Sequence, residues 1–245
     1  MLPIEIIYED DDVLVISKPA GMLTIPDRFD QEKPSVIKNL EKNAGKLFIV
    51  HRIDRETSGI LLFAKHALAH QQLSMQFEGK TVEKRYLALV DGILMDDQGE
   101  INKPIAAHPT ISGKMMVSSR GKESLTTYEV LERFRHFTLV EAQIHTGRTH
   151  QVRVHFKSID HPLAVDSVYG MRSQLMLSEL KQHKYKSGKF SDEEQPIMAR
   201  TTLHAWKLTF IQPTTGETMR FEATPPKDFR ALITQLRKWT AEKKV

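Results

Sequence analysis

The stretch His51-Arg52-Ile53-Asp54-Arg55-Glu56-Thr57-Ser58-Gly59 lies between two apolar runs, Leu47–Val50 and Ile60–Ala64, and constrains the fold more than any other feature. Runs this short suit strands rather than helices, so the polar stretch reads as a loop joining two buried strands. It places one aspartate between two arginines, Arg52 and Arg55. Positive charge close by favours the ionised carboxylate, which suits Asp54 to be a nucleophile or base rather than a general acid. Loops carried on a rigid scaffold commonly hold the chemistry. The plainer alternative is that Asp54, Thr57 and Ser58 only satisfy backbone groups of a turn.

Strand-length runs recur along the chain. Ile4–Tyr8 and Val13–Ile16, on either side of the acidic turn Glu9–Asp12, predict a hairpin. Lys18-Pro19-Ala20-Gly21-Met22 predicts a turn, with a loop running on to Pro34. Pro34 at a first helical position, followed by Val36, Ile37 and Leu40 and closed by Gly45, predicts a short helix. Ala69, Leu73 and Phe77 recur at i, i+4 and i+8, predicting a second, amphipathic helix that Gly79 ends. Val82–Val90 predicts a strand with Tyr86 and Ala88 on one face, where a core tyrosine is the plain reading. Residues 91–135 are less informative: Pro104, His108-Pro109 and Ser118–Lys122 read as loops, with Lys103, Lys114, Arg120 and Lys122 adding positive charge. Such charge is usually solvated surface; against RNA it would suit phosphate contacts.

Thr138–Ile144 predicts another strand, and Thr149 is placed to cap a helix carrying Val152, Phe156 and Ile159 inward. Lys181–Pro196 is polar and aperiodic, within an expected surface insertion at about 171–200. Leu203–Phe210 and Met219–Ala223 alternate around Pro213–Gly216 as a hairpin. Phe229, Leu232, Ile233, Leu236 and Trp239 form a helical stripe, expected to be core rather than a cofactor site. Many strands, few helices and no βαβ alternation predict one α+β domain over residues 1–245, with flanking helices on a mixed, largely antiparallel sheet.

Composition narrows the function. Among 245 residues, 35 Lys and Arg face 31 Asp and Glu, a small basic excess that permits a polyanionic partner. The absence of cysteine excludes disulfides and thiolate metal sites. No run approaches the roughly eighteen apolar residues that span a bilayer, and Met1-Leu2-Pro3-Ile4-Glu5 has no signal-peptide character, so the expected compartment is the cytoplasm. His145, His150 and His155 raise the question of a metal. Five-residue spacing turns successive side chains about 140° apart on a helix, whereas a zinc pair needs i and i+4, so no metal is expected.

The segment from His51 to Leu62 resembles the signature of the RluA-type pseudouridine synthases of the RsuA/RluA group, which isomerise uridine in RNA to its C-glycoside. Ile53 and Glu56 depart from the usual leucine and aspartate. The resemblance implies that Asp54 is catalytic and that Arg52 enters the RNA stack when the target base is flipped out, with His51 and Arg55 also on the RNA side. Lys84-Arg85-Tyr86 resembles a second motif, implying that Tyr86 lies against the uracil ring, as aromatic side chains often do with unstacked bases. His145–His155 resembles a third. It implies that Arg153 pairs with Asp54 and that Arg148, Thr149 and His150 line the RNA side.

His161–Gly170 continues the resemblance through Asp166, Tyr169 and Gly170, with Val165 where the family usually has glycine. Leu203, in Leu203–Leu208, would pack near the uracil. The likeness covers most of residues 4–225 and implies the pseudouridine synthase fold with a cleft across its sheet. It further implies no cofactor and ribosomal or transfer RNA as partner; a monomer is expected, without the small RNA-binding module that larger members place ahead of the domain. The competing reading is an RNA-binding ribosome or tRNA assembly factor with incidental or lost catalysis, although a pure binder needs Lys and Arg rather than such a carboxylate. A metal-dependent nuclease would need a carboxylate cluster that the sequence lacks.

Overall fold

Strand-length apolar runs can bury themselves only by pairing, and most of them do so here. The computed structural model describes residues 4–27, 30, 32–181 and 194–240, and the chain divides into two compact units. The first comprises the residues up to Tyr86 with His204–Pro225, the second Leu87–Leu203 with the residues from Pro226 on.

In the first unit, β1 (Glu5–Glu9) and β2 (Val13–Lys18) form the expected antiparallel hairpin. Asp10 closes it, its Oδ1 accepting from the amides of Asp12 and Val13. α1 (Val36–Ala44) follows. It begins later than expected: Ser35 is the cap, its hydroxyl accepting from Lys38 N, a bond the ring of Pro34 has no group to make. Gly45, at φ +71°, ends the helix as expected.

Leu47–Val50 needs a larger correction. It yields only β3 (Phe48–Ile49), a two-residue edge piece in which Ile49 is 37% exposed. The reason lies in β4 (Ser58–Ala64), which is buried throughout and pairs with β2 along one edge. Its other edge is shared: β3 pairs only at Phe63 and Ala64, and β11 (Leu203–Ile211) runs parallel to it at Ser58 and Gly59. That parallel pairing makes the sheet mixed. It also requires Gly59, at φ +113°, because a Cβ there would lie 2.1 Å from the Ala205 carbonyl oxygen.

α2 (Ala67–Glu78), capped by His66 and ended at Gly79, buries Ala69 and Leu73 against Val13, Val15, Ile60, Leu62 and Ala64. β5 (Glu83–Asp91) starts in this unit and continues into the second. β12 (Thr218–Glu222) returns antiparallel along β11, as the alternation predicts.

In the second unit the end of β5 is followed across the sheet by β10 (Phe137–Ile144), β9 (Leu125–Arg133) and β6 (Gln98–Asn102). β7 (Ile105–Ala107) and β8 (Met115–Val117) form a separate antiparallel pair. The loops expected at Pro104, His108-Pro109 and Ser118–Lys122 fall outside the named strands, as expected. β6, β7 and β8 around them are too short for apolar alternation to register, β6 burying only Ile101.

α3 (Gln151–Lys157) is capped by His150 rather than Thr149, and it ends before Ile159. Every residue from Gln151 to Phe156 is buried, so no amphipathic stripe marks this helix. α4 (Leu177–Lys181) packs on α5 (Lys227–Thr240), whose apolar stripe is core as expected. A bridge between Leu175 and Met198 closes the region expected as an insertion, of which residues 182–193 lie outside the described residues.

Candidate active site

Asp54 stands in the loop from β3 to β4, half-buried, and its carbonyl accepts from Thr57 N in a tight turn. The backbone of this turn is held from below by Lys18, which is 1% exposed. The Lys18 ammonium donates to the carbonyls of Pro19 (3.0 Å), Met22 (2.8 Å) and Arg55 (2.9 Å). A buried cation needs such partners to offset its lost hydration. Gly21 N also donates to the Arg55 carbonyl, and Thr24 Oγ1 donates to the Ile53 carbonyl at 2.9 Å. The residues on both sides of Asp54 thus have fixed carbonyls.

Downstream, the Ser58 hydroxyl meets His204 Nδ1 at 3.0 Å, and His204 Nε2 meets the Ala223 carbonyl at 3.0 Å. A carbonyl only accepts, so Nε2 carries the proton and Nδ1 accepts from Ser58. Thr57 is buried, and its hydroxyl has no hydrogen-bond partner among the described residues.

The arginines beside Asp54 have different surroundings. Arg55 is exposed and turned to Glu56 (3.5 Å) and the Gly21 carbonyl (3.0 Å). Arg52 is exposed. His51 faces inward: its Nε2 accepts from Leu62 N at 3.0 Å, and its ring stacks on Phe77 with centroids 4.8 Å apart. Burial, and then the nearby Lys84 charge, push its pKa down to about 3, which agrees with a ring nitrogen that must accept.

Tyr86, 8% exposed on β5, is close enough for Asp54 to act on its phenol. Burial first, and then the Asp54 charge, raise the phenol well above its ordinary value. Tyr86 is therefore a neutral hydroxyl able to donate, not a phenolate.

The second unit gathers His145–His155 and His161–Gly170 into one knot. Arg153, 6% exposed, forks Asp166 through Nε (2.7 Å) and Nη2 (2.9 Å). Asp166 also accepts from the amides of Val168 and Tyr169. Burial alone would raise the Asp166 carboxyl; the Arg153 fork, the Arg153 charge and these amides outweigh it and hold the group below its usual range. The guanidinium lies 4.9 Å from the centroid of the Tyr169 ring, and the Tyr169 hydroxyl meets His150 Nδ1 at 2.8 Å. Val165 is buried with its amide on Thr202 Oγ1.

His150 itself has φ +56°, a left-handed conformation uncommon outside glycine and often retained at functional sites. Arg148 is half-buried, its Nε on the Glu123 carbonyl, whereas Thr149 is exposed. Leu203 is buried at the start of β11. Of the three expected histidines, His155 is fully buried between Thr126 Oγ1 and the Lys103 carbonyl, and His145 contacts Thr127. Among the described residues no three His, Cys, Asp or Glu side chains cluster as metal ligands.

Sequence reasoning had not singled out Lys18 and His204 as site residues. The available signal was weak: a lysine before Pro-Ala-Gly at the end of an apolar strand, and a histidine at the head of another.

The family model for RNA pseudouridylate synthase matches residues 12–158, a span that includes Asp54, Tyr86 and Arg153. An Aquifex aeolicus protein named as an uncharacterized RNA pseudouridine synthase is 39% identical over 96% of this chain and 73% of its own length. A ribosomal large subunit pseudouridine synthase D of Zymomonas mobilis is 37% identical over 96% of this chain and 73% of its own length. Among solved structures, human RNA pseudouridylate synthase domain containing 1 is similar with a TM-score of 0.68 and 27% identity, over 92% of this chain and 87% of that one.

Proposed function

Because the chain belongs to the RNA pseudouridylate synthase family and is an isomerase acting on RNA, we propose that Asp54 is its reacting carboxylate and Tyr86 the residue against the target uracil. The observation that carries this reading is that Asp54, on a turn whose flanking carbonyls are fixed, lies near enough for its charge to bear on the buried, neutral Tyr86 phenol of β5. Isomerisation breaks the bond from N1 to C1′, forms one from C5 to C1′, moves a proton from C5 to solvent and returns one to N1. Asp54 either adds to the base or attacks or deprotonates the ribose to release the uracil, and both routes need a carboxylate of fixed position. Tyr86 supplies a ring face to hold the base while it turns.

Arg153 is the proposed partner of the Asp54 charge, as the resemblance implies. Its rigid fork on Asp166 and its stack on Tyr169 support a fixed guanidinium in that role. Arg52, exposed two positions before Asp54, is proposed to fill the gap left by a flipped nucleotide. His51, Arg55, Arg148, Thr149 and His150 are the further RNA-side residues, and Leu203 borders the uracil. The protein acts as a cytoplasmic monomer without cofactor. No helix among the described residues is long and apolar enough to cross a membrane.

The substrate is proposed to be large-subunit ribosomal RNA, as the names of several relatives suggest. Mapping pseudouridine across ribosomal and transfer RNA in cells lacking the gene tests this. Loss of one or a few ribosomal pseudouridines is expected; loss confined to transfer RNA would contradict the substrate, and no loss in either would contradict the function.

A further inference from the structure

Among the described residues, the buried lysine and arginine side chains are Lys18, Lys84 and Arg153. Lys18 has three backbone carbonyls and Arg153 has the Asp166 carboxylate. Lys84, 7% exposed, has neither. Among the described residues no carboxylate pairs with its ammonium and no acceptor bonds to it; it stands over the Phe77 ring, 5.4 Å from the centroid. A ring face replaces only part of the hydration that a buried charge gives up. Burial accordingly holds the Lys84 pKa below the ordinary lysine value. An apolar side chain of the same length would fill this place at less cost to the fold, so the charge itself calls for an explanation.

Lys84 stands beside the reacting groups. Along β5, Glu83 is exposed, Lys84 buried, Arg85 half-buried and Tyr86 buried. That alternation puts Lys84 and Tyr86 on one face, about 6.6 Å apart along the strand. The Lys84 charge also bears on His51, three positions before Asp54, and the His51 ring stacks on the same Phe77. All these residues belong to the first unit.

Each route open to Asp54 moves one negative charge onto the uracil. If the carboxylate attacks C1′ it becomes an ester, and the electron pair of the N1–C1′ bond leaves with the ring. If it takes a proton from C2′ it becomes the acid, the C–H pair forms the C1′–C2′ double bond, and N1 again leaves with its own pair. If it adds to C6 it becomes an ester, and the charge spreads over C5 and O4. In all three the carboxylate is neutralised and the base becomes an anion. A cation matched by its own carboxylate gives little net field there, whereas an unmatched one gives its whole charge, in a place that water screens weakly.

We propose that Lys84 is the unmatched positive charge that stabilises the uracil anion as charge passes to it from Asp54, acting through its field and without contact to the ring. This rests on the proposed roles of Asp54 and Tyr86. At an effective dielectric constant of about 20, a unit charge about 8 Å from the developing anion changes the rate roughly thirtyfold.

Lys84→Met keeps the length of the side chain and removes the charge. Without RNA it should melt at or above wild type. On a ribosomal RNA fragment its kcat should fall roughly tenfold to thirtyfold, with KM within about twofold of wild type because the new charge on the base is absent from the ground state. RNA with 5-fluorouridine at the target position gives a readout that a purely structural role would not move. Fluorine at C5 helps the ring hold negative charge, so the deficit should shrink several-fold when consumption of that nucleotide is followed.

Wild-type kcat, a lower melting temperature, or an equal deficit on both substrates would each overturn the role of Lys84. Asp54→Asn in the same assays separates the two failures. If it turns over, the reading of the carboxylate falls; an inactive Asp54→Asn beside a full-speed Lys84→Met removes Lys84 alone.

Discussion

Two buried cations, one in each unit, are held in different ways. Lys18 donates to three backbone carbonyls, and Arg153 forks the Asp166 carboxylate. A carbonyl belongs to the path of the chain, so Lys18 fixes the shape of the Asp54 turn. A carboxylate is a side chain with its own charge, so Arg153 is tied to a partner that is costly to leave alone. Damage at the two sites should therefore differ in kind. Loss of Arg153 falls on stability as well as on turnover, and loss of Lys18 falls disproportionately on turnover.

The largest expected effect is Arg153→Ala, which strands a fully buried carboxylate and should cost about 3–5 kcal/mol in urea unfolding without RNA. The double variant Arg153→Met with Asp166→Leu should recover most of that stability, because it removes both charges. If it is no more stable than the single variant, the pair is not what Arg153 contributes.

Lys18→Met comes next. A hydrogen bond to a charged group is worth about 1.5–3 kcal/mol, and three that share one donor do not add. A loss of about 2–3 kcal/mol is expected, together with a turnover at least tenfold lower in protein that is still folded. Full turnover would break the claim that Lys18 shapes the Asp54 turn.

Acid should separate the two regions by pH. His51 titrates near 3 in the fold against an ordinary 6.5, so the unfolded chain binds a proton that the native one refuses. Its contribution is intact above pH 6.5 and is lost as pH falls from there toward 3, with a slope approaching about 1.4 kcal/mol per pH unit. Asp166 is also depressed, so its contribution is present above the usual carboxylate value of 3.8 and is lost as pH falls below it. His51→Asn should flatten the stability profile between pH 6 and 4 and Asp166→Asn only below that window; the reverse assignment would contradict the contrast.

The smallest effect on stability is expected for Arg52→Ala, which changes an exposed residue and should stay within about 0.5 kcal/mol of wild type. Its effect belongs to turnover. A folded stem-loop should be modified slowly and an unstructured oligonucleotide nearly normally, because only the former must be unstacked. Equal slowing on both substrates would count against gap filling.

Much of the fold was legible because it follows from period: the opening hairpin, α2 with Ala69 and Leu73 inward, the β11 and β12 pair, and the α5 stripe. Other parts were hidden for physical reasons. α3 is buried on all sides, including Gln151, Arg153 and His155, whose polar groups meet partners distant in sequence such as Thr126 and Asp166. β7 and β8 have three residues each, too few for alternation to show. A lysine ending a strand normally reaches solvent, and nothing near Lys18 reveals that the fold returns the Arg55 carbonyl to it. The motif places His51 with the RNA-side residues; that its ring also supports Leu62 and Phe77 does not show in the sequence, because it meets these neighbours only once β4 and α2 are in place.

The most direct measurement is pseudouridine formation by Asp54→Asn on a ribosomal RNA fragment, followed by release of label from C5 of uridine, with RNA affinity measured in parallel. The substitution keeps the shape of the turn that Lys18 and Thr24 hold and removes the charged oxygen. Affinity within a few-fold of wild type with no detectable isomerisation is the predicted result. Turnover within tenfold of wild type would show that Asp54 is not the reacting group.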